Sequence, residues 1–226
     1  MSFLDHALRV LPLLLEGLKL SIMVTVISAI IGIFLGLFLG LGRLSKNSII
    51  KWLASVYVNF IRGTPLLVQL LIIYAGIPQI FMFITNQPSP MSPIVAAIAA
   101  CSLNSAAYVA EIFRAGIQSI DNGQIEAARS LGLTKNQAMA QVILPQAFRR
   151  IIPPLGNELI TLLKETSILS AIGLEEMMRK GQLYVANTFQ PFPVYITVAL
   201  CYFVIVLIIS KGLSLLERRL RISVED

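Results

Sequence analysis

Long apolar stretches constrain this chain more than any other feature of its sequence. Runs of about 20 apolar residues recur along its 226 residues, and this is the length that a helix needs to cross a bilayer core. Only 13% of the residues are charged, whereas soluble domains have about a quarter. Backbone N–H and C=O groups in lipid must be paired within the protein, so such runs fold as helices. The sequence therefore predicts an all-α, polytopic membrane protein.

Five membrane spans are predicted, and we treat residues 1–226 as one transmembrane domain. The predicted spans are Leu18–Leu41, Pro65–Ile84, Pro93–Phe113, Ile151–Ile172 and Phe192–Gly212. An amphipathic stretch from Phe3 to Leu15 precedes the first span and is expected to lie at the membrane interface. Asp5 interrupts the N-terminus and no small-residue cleavage site follows, so the first span is interpreted as retained.

The distribution of lysine and arginine predicts the orientation of the chain. Cytoplasmic loops carry an excess of these residues. One side of the predicted topology holds thirteen of them: Arg43, Lys46, Lys51, Arg62, Arg114, Arg129, Lys135, Arg149, Arg150, Lys211, Arg218, Arg219 and Arg221. The other side holds four: Arg9, Lys19, Arg179 and Lys180. The N-terminus is therefore expected outside and the C-terminus in the cytoplasm of a cell-membrane protein. The net charge of +6 follows from this bias and does not call for a nucleic-acid partner.

A long cytoplasmic segment, residues 115–150, separates the third and fourth spans. Asp121 or Asn122 can cap a short helix that runs through Ser130, and Gly132 suits the left-handed position that ends it. Thr134 can cap a second helix from Lys135, which Pro145 is expected to bend towards the fourth span. The segment is thus predicted to form a helical hairpin.

Ile125, Ala128 and Gly132 recur at helical spacing and are expected to form a smooth docking face on this hairpin. The alternative is a solvated connector that is only incidentally amphipathic. Ser28, Gly32, Gly36 and Gly40 form a second periodic pattern, a small-residue stripe along the first span. Such a stripe permits close helix packing, either within one subunit or between two.

Polar residues within the spans are the candidates for a substrate site. Ionisable groups in a membrane are costly and commonly functional. Asn157, Glu158 and Thr161 lie in the fourth span, and Asn104 and Tyr108 form an i, i+4 pair in the third. We expect them to line a polar cavity between these spans, where Glu158 would bind a cationic group. The alternative is that Glu158 pairs with a neighbouring helix or reaches water.

Several motifs together resemble the permease subunits of ATP-binding-cassette (ABC) importers. Glu126-Ala127-Ala128, then Gly132 and Leu144-Pro145, are similar to the EAA signature of that class, and Gly123 precedes them. Arg62-Gly63-Thr64-Pro65, Ala107-Tyr108-Val109-Ala110-Glu111 and Lys164-Glu165-Thr166-Ser167 resemble segments of the histidine/glutamate/glutamine/arginine permease family. These pieces extend over roughly residues 17 to 215.

The resemblance implies a permease for polar amino acids that works with partner proteins. It implies two permease subunits, two ATPase subunits that hold ATP and Mg²⁺, and an extracytoplasmic binding protein. Gly123, Glu126, Ala127, Ala128, Gly132, Leu144 and Pro145 would then form the segment that couples to the ATPase. If Glu158 faces the cavity, arginine, lysine or histidine becomes the favoured substrate.

Motifs that the sequence lacks narrow the remaining function classes. It has no Gly-x-x-x-x-Gly-Lys-Ser/Thr loop, no hydrolase or metalloprotease motif and no cluster of metal ligands, and His6 is its single histidine. Neither a catalytic site nor a cofactor is therefore predicted in this chain. The main alternative is an ion-coupled transporter or channel without an ATPase, in which Glu158, Lys164 and Glu165 would relay protons.

Overall fold

The structure, a computed structural model, describes residues 2–222, and the side chains from 219 onwards are outside the description. Arg219 and Arg221, which contribute to the predicted charge bias, therefore lie outside the described side chains, as does the C-terminal tail. The described chain is helical and contains no strand. Its α-helices are α1 (Phe3–Arg43), α2 (Ser48–Arg62), α3 (Leu66–Leu71), α4 (Ile77–Thr85), α5 (Pro93–Gln118), α6 (Asn122–Ser130), α7 (Lys135–Ala138), α8 (Leu144–Glu165), α9 (Met177–Thr188) and α10 (Pro191–Ile222).

Four stretches of the described chain are long and apolar enough to cross a membrane. They are α1, the combined α3–α4 segment Leu66–Thr85, α5, and Pro191–Arg218 of α10. They correspond to the first, second, third and fifth predicted spans. The fourth prediction, Ile151–Ile172, falls on α8, which is less apolar, and on the 3₁₀-helix Thr166–Ile172 that follows it.

The stretch Phe3–Leu15 does not form an element separate from the first span. These residues are the start of α1, which continues without a break to Arg43 and is capped at its N-terminus by Ser2. Val10 and Leu14 are fully buried against Met177, Val194 and Val198 of α9 and α10. A face that appears amphipathic in sequence is therefore occupied by other helices of the same chain.

The small-residue stripe of α1 packs within the chain, against α5. An added Cβ at Gly36 would lie 2.6 Å from the Cβ of Val109, and one at Gly32 would lie 2.9 Å from the Cβ of Ser105. Gly40 meets the backbone oxygen of Ala110 at 3.0 Å in the same way. Close approach of α1 and α5 therefore depends on these glycines, and the intrasubunit alternative is the one that the structure adopts.

Two prolines in long helices are each preceded by a π-helical turn. The turn Ile72–Gly76 precedes Pro78, and the turn Met139–Ile143 precedes Pro145. A proline lacks the N–H that would bond to the carbonyl four residues earlier, and the wider turn accommodates this loss. α7, the π turn and α8 form one continuous helical segment, so the chain stays helical through Pro145 on its way from the hairpin to α8.

α9 and its N-cap pack against α1 and α10 between the fourth and fifth predicted spans. The Glu176 side chain is fully buried, and its oxygens accept hydrogen bonds from Met178 N, Arg179 N and the Tyr202 hydroxyl. Nearby, Lys180 Nζ lies 2.9 Å from Glu175 and 3.4 Å from Glu16. The ammonium lowers the pKa of Glu175, and the carboxylates raise the pKa of Lys180.

Candidate functional site

The segment between α5 and α8 is a helical hairpin, and its capping residues are those that the sequence predicts. The Asp121 carboxylate accepts a hydrogen bond from Gly123 N at 2.6 Å at the start of α6. Gly132 has a φ of 87°, which is the left-handed conformation that favours glycine. Thr134 caps α7 in a reciprocal arrangement with Gln137. Local sequence therefore accounts for the shape of this hairpin.

Two of the three residues of the predicted docking face, Ile125 and Ala128, are turned towards the protein, whereas Gly132 is exposed. Ala128 is 4% exposed, and Ile125 packs on a core that includes Phe113, Ile143 and Ala147. Apolar side chains at helical spacing bury themselves against the nearest apolar surface, here α5 and α8. The outer surface instead presents Gly123, Glu126, Ala127, Leu144 and Pro145, all exposed.

Leu131 is an exposed apolar residue that the sequence did not single out. It follows α6, and its side chain is 85% exposed at the tip of the hairpin. Gln146 and Arg150 of α8 form hydrogen bonds at the base of the hairpin. Gln146 Nε2 lies 3.4 Å from Gln124 Oε1, and Arg150 donates to the Ser119 hydroxyl at 3.2 Å. The hairpin thus presents an apolar tip from a supported base.

Glu158 lines a cavity of about 220 Å³ enclosed by α1, α5, α8 and α10. The walls are mostly apolar and include Ala29, Val109 and Leu155. Glu158 is partly buried and has no ion-pair partner among the described side chains, residues 2–218. Ser105, which sequence reasoning missed, shares the cavity, and its buried hydroxyl makes no hydrogen bond of ordinary geometry within the described chain. The cavity can therefore offer a carboxylate and a hydroxyl to a small polar ligand.

Asn104 lies outside this cavity wall and is engaged with α3. Its side chain is 4% exposed, and Nδ2 donates to Gln69 Oε1 at 3.0 Å. Gln69 Nε2 in turn donates to the carbonyl oxygens of Ile61 and Thr64, at 2.8 and 3.0 Å. Asn104 and Gln69 therefore connect α5 to the break between α2 and α3.

Tyr108 lies next to a cluster of charged residues whose proximity was not predicted from the sequence. Glu111 forms ion pairs with Arg43 and Arg114, and with Arg62 at 3.7 Å. The Arg62 guanidinium lies 5.3 Å from the centre of the Tyr108 ring. We name Arg43, Arg62, Glu111 and Arg114 the Glu111 cluster; it joins the ends of α1 and α2 to α5.

Asn157 and Thr161 are exposed on α8, on a stripe that continues to Lys164. The five candidate substrate residues thus occupy three places: Glu158 in the cavity, Asn104 and Tyr108 on the α2–α3 side of α5, and Asn157 and Thr161 on the open face of α8. No group of three His, Cys, Asp or Glu side chains in the described part of the chain is placed to hold a metal ion.

Comparison with known protein families identifies the class of protein that has this architecture. The profile of the family described as "binding-protein-dependent transport system inner membrane component" matches residues 32–222. The chain belongs to this family. The ion-coupled alternative is accordingly not favoured. Family members are the membrane components of ABC transporters, and ATP hydrolysis resides in a separate chain.

Relatives within this family match nearly the whole chain. The arginine transport system permease protein ArtQ of Bacillus subtilis is 44% identical over 93% of this chain and 94% of its own length. The probable amino-acid permease protein YxeN of the same organism is 41% identical over 95% and 94%. The glutamine transport system permease protein GlnP of Escherichia coli K12 is 38% identical over 94% of both chains.

Solved structures support the same fold. A chain from the crystal structure of an amino acid ABC transporter with histidines has a TM-score of 0.89 and 45% identity, with 97% of this chain and 99% of that chain covered. A chain from the MetNI methionine ABC transporter in an inward-facing conformation has a TM-score of 0.74 at 22% identity, covering 93% and 97%, and shares the fold. The chain is thus a multi-pass inner-membrane permease subunit of an ABC importer.

Proposed function

We propose that this permease imports polar amino acids, with basic ones such as arginine, lysine or histidine as favoured substrates. The observation that carries the proposal is the Glu158 carboxylate, which faces a cavity without a cationic partner from the described chain. A partly buried carboxylate lacks the full solvation of water, so a substrate cation is a favourable partner. The relatives ArtQ and GlnP are named as arginine and glutamine transport system permeases, which supports amino acids as the substrate class.

The hairpin is proposed to dock on the ATPase subunit. Its exposed surface includes Gly123, Glu126, Ala127, Gly132, Leu144 and Pro145, with Leu131 at the tip, while Ala128 is buried beneath that surface. An apolar side chain held at an exposed tip suits a groove on a soluble partner. ATP-driven closure of the ATPase subunits would then switch the cavity between outward and inward access.

A second permease subunit is proposed to cover the open face of α8. Asn157, Thr161 and Lys164 are exposed there. Polar groups at membrane depth are costly in lipid and are commonly covered by protein or line a water-filled path. In this arrangement α8 is the fourth of five spans, the N-terminus is outside and the C-terminus is cytoplasmic. An extracytoplasmic binding protein would deliver the amino acid.

The test of the substrate class is uptake by the assembled importer in proteoliposomes, with labelled arginine and glutamine. Glu158→Gln should weaken arginine transport by about 10-fold to 100-fold, because a charged hydrogen bond contributes about 1.5–3 kcal/mol, and should affect glutamine much less. Glu175→Gln, which removes an exposed carboxylate at the other end of the fold, is the matched control. Unchanged arginine-to-glutamine discrimination in Glu158→Gln would remove the basic-substrate proposal while leaving the import of polar amino acids intact.

A further inference from the structure

The Glu111 cluster carries more positive charge than its single acid neutralises. Three guanidiniums surround one carboxylate, which leaves a formal charge of +2. The connection between α1 and α2 adds to this charge, because Lys46 and Lys51 are exposed and no acidic residue occurs from Arg43 to Arg62. This corner of the molecule is therefore an attractive location for an anion.

Arg62 has the most exposed and least engaged guanidinium of the cluster. Arg43 and Arg114 both donate to Glu111. Arg62 approaches the same carboxylate only to 3.7 Å, makes no hydrogen bond within the described residues, and has a side chain that is 40% exposed. Its guanidinium is held over the Tyr108 ring. A guanidinium presents a planar fork of donors that matches the oxygens of a phosphate.

The chain that follows Arg62 enters a membrane-spanning segment whose exposed surface is apolar. α3 begins four residues later and exposes Leu67, Val68 and Leu71. Phe60 is exposed on the last turn of α2. A free carboxylate or phosphate would use the guanidinium alone, whereas a phospholipid also has acyl chains that cover such a surface. The pairing of an unsatisfied guanidinium with exposed apolar helix is therefore a better match to a lipid.

We propose that the Glu111 cluster binds the headgroup phosphate of an anionic phospholipid through Arg62, with the acyl chains along α3. The excess charge attracts an anionic headgroup, and the Tyr108 ring holds the Arg62 guanidinium just before the start of α3. Basic pockets between helices on the cytoplasmic side of a membrane bind anionic lipids in this way, and the proposed orientation puts the cluster on that side. The lipid would thereby stabilise the junction of α1, α2 and α5.

The test measures the thermal unfolding midpoint of the assembled importer in mild detergent with added phosphatidylglycerol or phosphatidylcholine at equal concentrations. Phosphatidylglycerol should raise the midpoint of the wild type more than phosphatidylcholine does. Arg62→Gln should need about fivefold more phosphatidylglycerol for half of the effect, since one surface cation contributes about 1 kcal/mol towards an anionic lipid. Lys211→Gln removes an exposed cation of α10 and should behave as the wild type.

Other outcomes would overturn the proposal. Equal effects of the two lipids on the wild type would mean that no anionic headgroup is recognised. An unchanged phosphatidylglycerol requirement in Arg62→Gln would move the site elsewhere. Inorganic phosphate or free glutamine that reproduces the effect of phosphatidylglycerol would identify a site for a free oxyanion rather than a lipid. Arg62→Met keeps a long side chain over Tyr108 and replaces Arg62→Gln if that variant fails to assemble.

Discussion

At the scale of single residues, Gln69 shows how a break in a membrane helix is satisfied. Pro65 cannot donate a hydrogen bond to the carbonyl oxygen of Ile61, which accepts long hydrogen bonds from Thr64 N and Thr64 Oγ1, both at 3.4 Å. Gln69 Nε2 donates to that oxygen at 2.8 Å and to Thr64 O at 3.0 Å, while its Oε1 accepts from Asn104. One buried amide thus supports both the break and its contact with α5.

Gln69→Leu is expected to lower the free energy of unfolding by about 1–3 kcal/mol, because it leaves buried polar groups without partners. Thermal unfolding of the assembled importer measures this change, and Gln79→Leu, at an exposed position of α4, is the matched control. Asn104→Leu should also destabilise, and the double variant should lose less than the two single losses combined, since the residues interact directly. Equal midpoints for Gln69→Leu and Gln79→Leu would contradict this role.

Residue spacing predicted the Glu158 candidate but could not predict its neighbours. A carboxylate in a span is conspicuous in sequence because it is costly. Ser105, its partner across the cavity, is an ordinary small residue of α5, and its importance depends on how α5 rotates against α8. The same rotation turns Asn104 towards Gln69. Adjacent residues of a helix point about 100° apart, so only packing decides which one faces a site.

At the scale of elements, the pair α1 and α5 forms the centre of the molecule. The glycines of α1 let its backbone approach α5, where Gly36 faces Val109 and the carbonyl oxygen of Ala106. Gly212 of α10, in contrast, has open space where a Cβ would be. The two glycines therefore provide a direct test of whether close packing or chain flexibility governs stability.

Gly36→Ala is expected to destabilise the importer by about 1–3 kcal/mol, because the new methyl group overlaps Val109 and forces the helices apart. Gly212→Ala should leave the unfolding midpoint unchanged or raise it, since alanine favours a helix where space is available. Differential thermal unfolding of the two variants measures the contrast. Equal midpoints would show that α1 and α5 can separate without cost.

The hairpin supports a prediction about Leu131. Leu131→Ala is expected to weaken association of the permease with its ATPase by at least about fivefold, because an exposed apolar tip that fills a groove contributes about 1 kcal/mol or more. Co-purification of the ATPase from detergent-solubilised membranes at increasing dilution measures this loss. Leu4→Ala, a comparably apolar and 63% exposed position at the start of α1, is the control. ATPase recovery that matches this control would exclude Leu131 from the interface.

Element prediction succeeded where apolar runs were long and failed where helices depend on tertiary contacts. α2 is a 15-residue amphipathic helix whose sequence does not indicate a membrane span. Its Val58 is nevertheless fully buried against Ala107 and Ala110 of α5. α9 follows the same principle, because its buried face meets α1 and α10 rather than lipid. Local sequence predicted the caps of α6 and α7 well, since capping depends on residues within one turn.

At the scale of the whole molecule, the charge bias makes a prediction about topology. In a background without native cysteines (Cys101→Ala, Cys201→Ser), Gln190→Cys between α9 and α10 should react with a membrane-impermeant maleimide in intact cells. Lys135→Cys at the start of α7 should react only after permeabilisation. Both positions are exposed, so accessibility of the side chain is matched. The reverse labelling pattern would invert the proposed orientation and place the hairpin outside the cell.

The helix that continues from α7 into α8 has a mechanical consequence. Lys135 at the hairpin and Glu158 at the cavity lie on the same continuous helical segment. They are 23 residues apart, which at 1.5 Å per residue is about 35 Å. A tilt of about 10° around the Glu158 end would sweep the hairpin end through about 6 Å, by the same helix geometry. The π turn at Met139–Ile143 and the adjacent prolines Pro153 and Pro154 interrupt the regular hydrogen bonding of this helical segment. The stiffness of the segment at these places therefore affects how much of a displacement at the hairpin arrives at the cavity.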